Sequence, residues 1–146
     1  MTVHIVPAAE NMEAWADLRA ALWPQGPIEE HREEIAAIAA GPGTEAGLIA
    51  LVGDEPAGLV EMSLRPWVEG CASSPVGFVE GWYVVPRFRR RGVGRALIGA
   101  AEAWARARGC TEMGSDTELA NLVSQEAHAA LGYEEVERTV LFRKTL

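Results

Sequence analysis

The stretch Val84-Val85-Pro86-Arg87-Phe88-Arg89-Arg90-Arg91-Gly92-Val93-Gly94-Arg95-Ala96-Leu97 closes an apolar strand, runs through an arginine-rich glycine turn and opens an amphipathic helix. A helix that starts on such a turn presents unpaired backbone N–H groups, and its dipole adds partial positive charge at the same place. Gly92 and Gly94, lacking Cβ atoms, let the backbone come close to a diphosphate. Five arginines lie between Arg87 and Arg95 in a chain of formal charge −8, so the turn is a cationic spot in an acidic field. That combination suits a diphosphate-bearing ligand better than nucleic acid. The run lacks the Gly-Lys-Ser/Thr ending of a nucleotide P-loop, and Leu97 stands where a dinucleotide fingerprint needs its third glycine.

Working outward, Phe78 to Val85 reads as a strand. After the turn, Val93, Leu97, Ala100, Ala101 and Trp104 share one helix face, and Gly109 terminates the helix. Thr111 to Ser115 reads as a short strand, so strand, helix and strand predict a crossover with locally parallel pairing. Upstream, Val3 to Val6 is a first strand, and Asn11 caps a helix carrying Met12, Trp15, Leu18, Arg19 and Leu22. A second helix from about Pro27 has Ile28, His31, Ile35 and Ile38 on one side. Leu48 to Val52 and Ala57 to Met62 form a hairpin across the four residues Gly53 to Pro56, and Arg65 to Gly77 is a loop. Asn121 or a neighbour caps a last helix to Leu131, and Tyr133 to Phe142 reads as a terminal strand.

With 146 residues, nearly half of them hydrophobic, the expectation is one α/β domain over residues 1–146, its mixed, mostly antiparallel, twisted sheet flanked by helices. No membrane span and no leader pattern are read, which points to the cytoplasm. Cys71 and Cys110 lack metal-ligand spacing, so no metal site is expected. The excess of acids favours cationic partners over nucleic acid.

Arg89-Arg90-Arg91-Gly92-Val93-Gly94 resembles the Arg/Gln-x-x-Gly-x-Gly/Ala signature of the GNAT superfamily of acetyl-CoA-dependent N-acetyltransferases. Asn121, Gly132 and Tyr133 fit a second superfamily pattern, with His128 where tyrosine is commoner. Leu18-Arg19, Leu22-Trp23-Pro24, Gly70 to Pro75, Val79-Glu80-Gly81, Ser115-Asp116-Thr117 and Glu137-Arg138 together look like the small aminoglycoside 6'-N-acetyltransferases over almost the whole chain.

The resemblance implies that acetyl-CoA is held by Arg89, Arg90, Arg91, Gly92, Val93, Gly94 and Arg95, with Ser124 nearby. Strand N–H groups around Trp82, Tyr83 and Val84 would bind its thioester end, Val84 N–H meeting the carbonyl. It implies a cationic aminoglycoside contacted by Trp23, Trp67, Glu80, Asp116, Asn121 and Glu137, and a homodimer formed through the C-terminal strand. Acyl transfer to an amine also needs a proton acceptor, for which Glu80 and Asp116 are the candidates. Strand alternation groups Glu80 with Phe78, Trp82 and Val84 on one face. Blander readings stand beside these: Glu80 as a partnered acid, Asp116 and Asn121 as helix-start residues, Glu137 as a solvated acid, Trp23 and Trp67 as core, His128 as a satisfied helical histidine rather than a general acid. Two rival functions are acetylation of another amine, such as a polyamine or protein N-terminus, and acyl-CoA sensing without turnover.

Overall fold

A computed structural model describes all residues from Met1 to Leu146. In chain order the elements are β1 (Val3–Pro7), α1 (Met12–Leu22), α2 (Ile28–Ala40), β2 (Glu45–Val52), β3 (Glu55–Arg65), β4 (Val76–Val84), α3 (Val93–Ala107), β5 (Met113–Ser115) and α4 (Leu122–Ala130). The strands form one sheet in the order β1-β2-β3-β4-β5. Every neighbouring pair is antiparallel except β4 with β5, which is parallel. No helix is long and apolar enough to cross a membrane.

The sheet is the middle of three layers. On one face Val60, Met62 and Val79 pack with Leu97, Ile98 and Ala101 of α3. On the other, Ile49 and Leu59 pack with Trp15 and Leu18 of α1 and Ile35 of α2. The apolar stripes of these helices are thus buried on opposite sides of strands that alternate between the two cores. Asn11 starts α1 by accepting from Ala14 N at 3.1 Å, the expected cap. Gly109, at φ +87°, ends α3, where the Cys110 N–H reaches back to Ala105 O at 3.1 Å.

Four sequence expectations need correction. Pro27 precedes α2 as its cap instead of opening the helix. The hairpin turn is two residues long, since β3 resumes at Glu55, and a register shift at Ala50/Leu51 leaves Ala57 as the extra residue beside Pro56. A bulge is where a proline, unable to donate to the ladder, is tolerated in a strand. Tyr133 to Phe142 forms no strand: the residues after Gly132 pair with no neighbour, and Val140, Leu141 and Phe142 are exposed, the last at 92%. Its β-like pattern describes the side chains, but a strand also needs an edge to pair with, and this sheet ends in a β5 of only three residues.

The fourth correction concerns β4. Glu61 pairs with Gly81 and Met62 with Val79, so Glu80 is an extra residue with no partner on β3. The bulge breaks the alternation assumed from sequence. Trp82 and Val84 pack toward the α3 core, whereas Glu80 meets Ser63 and Arg65, which alternate with Glu61 on the face covered by α1.

The close approach of β3, β4 and α3 at Gly58 gives a test of this packing. A Cβ there would lie 2.7 Å from Tyr83 O and 2.9 Å from Leu97. Gly58→Ala is expected to destabilise the protein by about 1–3 kcal/mol, read as a lower urea midpoint with unchanged slope.

Candidate active site

The site is built where two strands part. β4 pairs with β5 only from Gly77↔Met113 to Val79↔Ser115. Beyond that pair β4 continues to Val84 with no strand on its outer side, and the next residues along the two chains are Glu80 and Asp116. The two candidate carboxylates therefore flank the point where a wedge opens between the strands.

The register also fixes which backbone groups face the wedge. Val85 N donates to Ala57 O at 2.9 Å, and Val84 is opposite Gly58 in the same register. Because antiparallel pairs alternate, Tyr83 turns its N–H toward Leu59 on β3, while Trp82 and Val84 turn theirs outward into the wedge. Of the three strand N–H donors expected from sequence, these two are the ones that face it. The Val84 carbonyl also faces outward, where Arg89 Nε donates to it at 2.9 Å.

The glycine turn lies at the far end of the wedge. Gly92, at φ +82°, is the N-cap of α3 and supplies no side chain to the helix start. Ala96 N donates to Gly92 O, closing the first turn and leaving the N–H groups of Val93, Gly94 and Arg95 without a helical acceptor. Nothing lies within 4 Å of where a Gly92 Cβ would be, whereas a Gly94 Cβ would touch the Trp82 ring at 3.0 Å. Trp82 thus forms the floor beneath the helix start, with a buried Nε1–H that finds no protein acceptor. Arg90 holds φ +63°, a left-handed conformation unusual for a residue with a side chain and one that concentrates at ligand-binding turns. Arg87 is paired with Glu55 and Arg89 is spent on Val84 O, so Arg90, Arg91 and Arg95 are the guanidinium groups left without a partner. Free amides at a helix N-terminus, three uncommitted arginines and open space over a glycine are the features a diphosphate requires.

The acids are less alike than the sequence suggests. Both oxygens of Glu80 are bonded to Arg65, and Ser63 Oγ donates to Oε1 at 2.6 Å. Asp116 is exposed and accepts no protein hydrogen bond; the cap of α4 is instead Asn121, whose side chain accepts from Ser124 N. Asp116 and Glu137 line a cavity of about 710 Å³ together with Glu69, Glu102, Glu112, Glu134 and Glu135, against the two cations Arg106 and Arg138, whereas Glu80, Trp23 and Trp67 do not line it. Trp67 is 68% exposed, and Trp23 is partly exposed over Gly81, next to Glu80. His128 Nδ1 lies 2.7 Å from Ser124 O, so that nitrogen carries the proton and Nε2 accepts from Ser115 Oγ at 2.7 Å. It is a satisfied helical histidine, edge-on to Trp82 and Tyr133.

Sequence reasoning missed Arg65, which neutralises Glu80, and Glu112, which fixes the loop between β3 and β4. One oxygen of Glu112 accepts from Ala72 N, Ser73 N and Ser73 Oγ, and these bonds hold its carboxyl below the ordinary range. Neither leaves a local signal, because each is an isolated charge whose partner is supplied by the fold.

The sequence pattern of the Acetyltransferase (GNAT) family matches residues 11–133. The chain belongs to the GNAT acetyltransferase family. It is 51% identical to the aminoglycoside N(6')-acetyltransferase type 1 of Klebsiella aerogenes over 136 residues, spanning 91% of this chain and 90% of that one. It is 46% identical to the enzyme of the same name from Serratia marcescens, with 94% of each chain covered. The fold superimposes on the solved structure of AAC(6')-Iy in complex with the bisubstrate analog CoA-S-monomethyl-acetylneamine, with TM-score 0.94, 39% identity and full coverage of both chains.

Because Glu112 is depressed in the fold, its bonds stabilise the protein above the ordinary carboxylate pKa of 4.5 and lose that effect as pH falls through the lower folded value. Glu112→Gln should therefore unfold at lower urea than the wild type at pH 7. The difference should close as the pH is taken well below 4.5, and urea midpoints across that range check it.

Proposed function

We propose that the chain is an acetyl-CoA-dependent aminoglycoside 6'-N-acetyltransferase, one domain over residues 1–146, in which the amine attacks the thioester directly. The observation that carries this reading is the wedge after Val79↔Ser115: two unpaired strand N–H groups inside, a diphosphate-type turn at one end and two carboxylates at the other. The relatives named above supply the reaction, and the acidic cavity suits a polycationic substrate.

In this reading Arg90, Arg91, Arg95 and the amides of Val93, Gly94 and Arg95 hold the coenzyme's diphosphate over Gly92, and Arg89 closes the end of β4. Acetyl-CoA supplies the activated acyl group. Trp82 N–H and Val84 N–H are donors aimed at the thioester end, and Val84 N–H would meet the oxyanion. Asp116 and Glu137 hold ammonium groups of the substrate, and Trp23 and Trp67 give it flat walls. Glu80, already shared with Arg65, orients the substrate; Asp116, free of protein partners, is the better placed proton acceptor. Asn121 and Ser124 form the α4 start that borders the site. We place the enzyme in the cytoplasm, a reading supported by two free thiols, Cys71 and Cys110.

We also infer a homodimer. Val140, Leu141 and Phe142 are exposed in a segment that pairs with nothing, beside a sheet that ends in a short strand. Contiguous apolar side chains of this kind are normally covered, and a second copy offers the same short edge in return.

Thiol release across a panel of amines tests the activity. Stoichiometric release is expected with kanamycin and none with spermidine or a peptide N-terminus; acetyl-CoA binding without release from any amine would instead support a sensor. Asp116→Asn should lower aminoglycoside kcat/KM about 10- to 100-fold with acetyl-CoA KM unchanged, whereas Gly92→Val should raise acetyl-CoA KM. For the dimer, sedimentation should give twice the chain mass for the wild type and the chain mass for Leu141→Asp/Phe142→Asp.

A further inference from the structure

A buried polar network lies behind the substrate face, and none of its members reaches the wedge. Glu61, only 4% exposed in the middle of β3, accepts from Trp15 Nε1 at 3.0 Å. Arg19 Nε sits 2.9 Å from the same oxygen, off the line of its N–H bond, and Arg19 also pairs with Glu34 of α2. Burial pushes the Glu61 carboxyl up, and Trp15 and Arg19 work against that rise. A buried ion pair of this kind is seldom kept for stability, since desolvation offsets most of its attraction.

Its geometry gives it another use. The Arg19 guanidinium carbon lies 5.1 Å from the centre of the Trp23 ring. Trp23 N donates to Arg19 O at 2.8 Å, and the buried His31 of α2 bonds Trp23 O through Nε2 at 2.9 Å. The carbonyl accepts only, so Nε2 carries the proton. The indole also fills the space above Gly81, where a Cβ would come within 2.6 Å of it. Gly81 is the register partner of Glu61 and the neighbour of the bulged Glu80. Trp23 is therefore held through its backbone by two elements and through its ring between a cation and a glycine slot.

We propose that Arg19 and His31 are positioning residues, which fix the Trp23 indole beside Glu80 and so set the enzyme's affinity for its aminoglycoside without touching it. The inference rests on the proposed substrate and on Trp23 as one of its walls. Arg19 must be buried and charged to act on the ring, and Glu61 is the counter-charge that allows it.

The test is a set of KM measurements by thiol release with kanamycin and with acetyl-CoA. Arg19→Met/Glu61→Gln removes the cation and its counter-charge together while leaving Trp15 an acceptor. It should raise kanamycin KM about tenfold, with acetyl-CoA KM and kcat within about twofold. In a Trp23→Ala background the same two changes should add nothing, because they act through that ring. Gly81→Ala, which crowds the indole directly, should reproduce the kanamycin effect and serves if the double variant does not fold. The proposal is overturned if folded Arg19→Met/Glu61→Gln or Gly81→Ala keeps the wild-type kanamycin KM, or if the loss is undiminished without Trp23. Two other results strike the underlying reading first and remove the proposal with it: no thiol release by the wild type with kanamycin, or a Trp23→Ala variant with wild-type KM.

Discussion

The site depends on β5 being only three residues long. Had it continued beside β4, the outward amides of Trp82 and Val84 would be spent on a ladder, as those of Gly77 and Val79 are. Stopping at Ser115 leaves a row of backbone donors that protein groups do not satisfy, on a strand held rigidly from its other side by β3. Unsatisfied amides are costly when shielded from water, so the wedge favours any ligand that restores a β-like pairing. In an acetyltransferase of this family that requirement and the reaction coincide: a donor fixed by the sheet needs no reorganisation when charge develops on the carbonyl.

The bulge at Glu80 is the second consequence of the same place in the sheet. An extra residue opposite the Glu61/Met62 step turns Glu80 and Gly81 onto the α1 face together, which regular alternation forbids. It brings the carboxylate to Arg65 and Ser63 and presents the glycine to Trp23. The buried Glu61 sits across from this step. Strand irregularity, buried charge and substrate face are therefore one local arrangement, in which altering any member shifts the others.

Much of this could be read from residues. The strand, cationic turn and helix around Arg89 to Gly94 announce themselves because each has a local cause: apolar run, glycines, helical spacing. The polar network also left a trace, since Arg19 and His31 fall at helical spacing among apolar residues of α1 and α2, where an unpartnered charge would not survive. The bulge left none. Alternation counts residues, and a bulge is decided by pairing with another strand. The segment after Tyr133 misled for the same reason, as its pattern is that of a strand whereas no strand of this sheet pairs with it. Asn121 illustrates a third limit: the residue type that caps a helix also suits a ligand contact, and only the bond to Ser124 N shows which is in place.

The chain carries −8 overall, yet the three uncommitted arginines of the glycine turn lie at the opposite end of the wedge from Glu80 and Asp116. The separation answers a chemical conflict. Acids that hold a polycation also stabilise the protonated form of its amines, and attack on a thioester requires the free base. Screening limits such effects to roughly 10 Å at ordinary ionic strength, so the acids nearest a reacting amine carry most of this conflict. Arg65 works in the same direction. By engaging both oxygens of Glu80 it offsets the negative charge on the strand that carries the outward amides. Asp116, across the opening, has no such partner, and the proposed division of labour between the two carboxylates rests on that asymmetry.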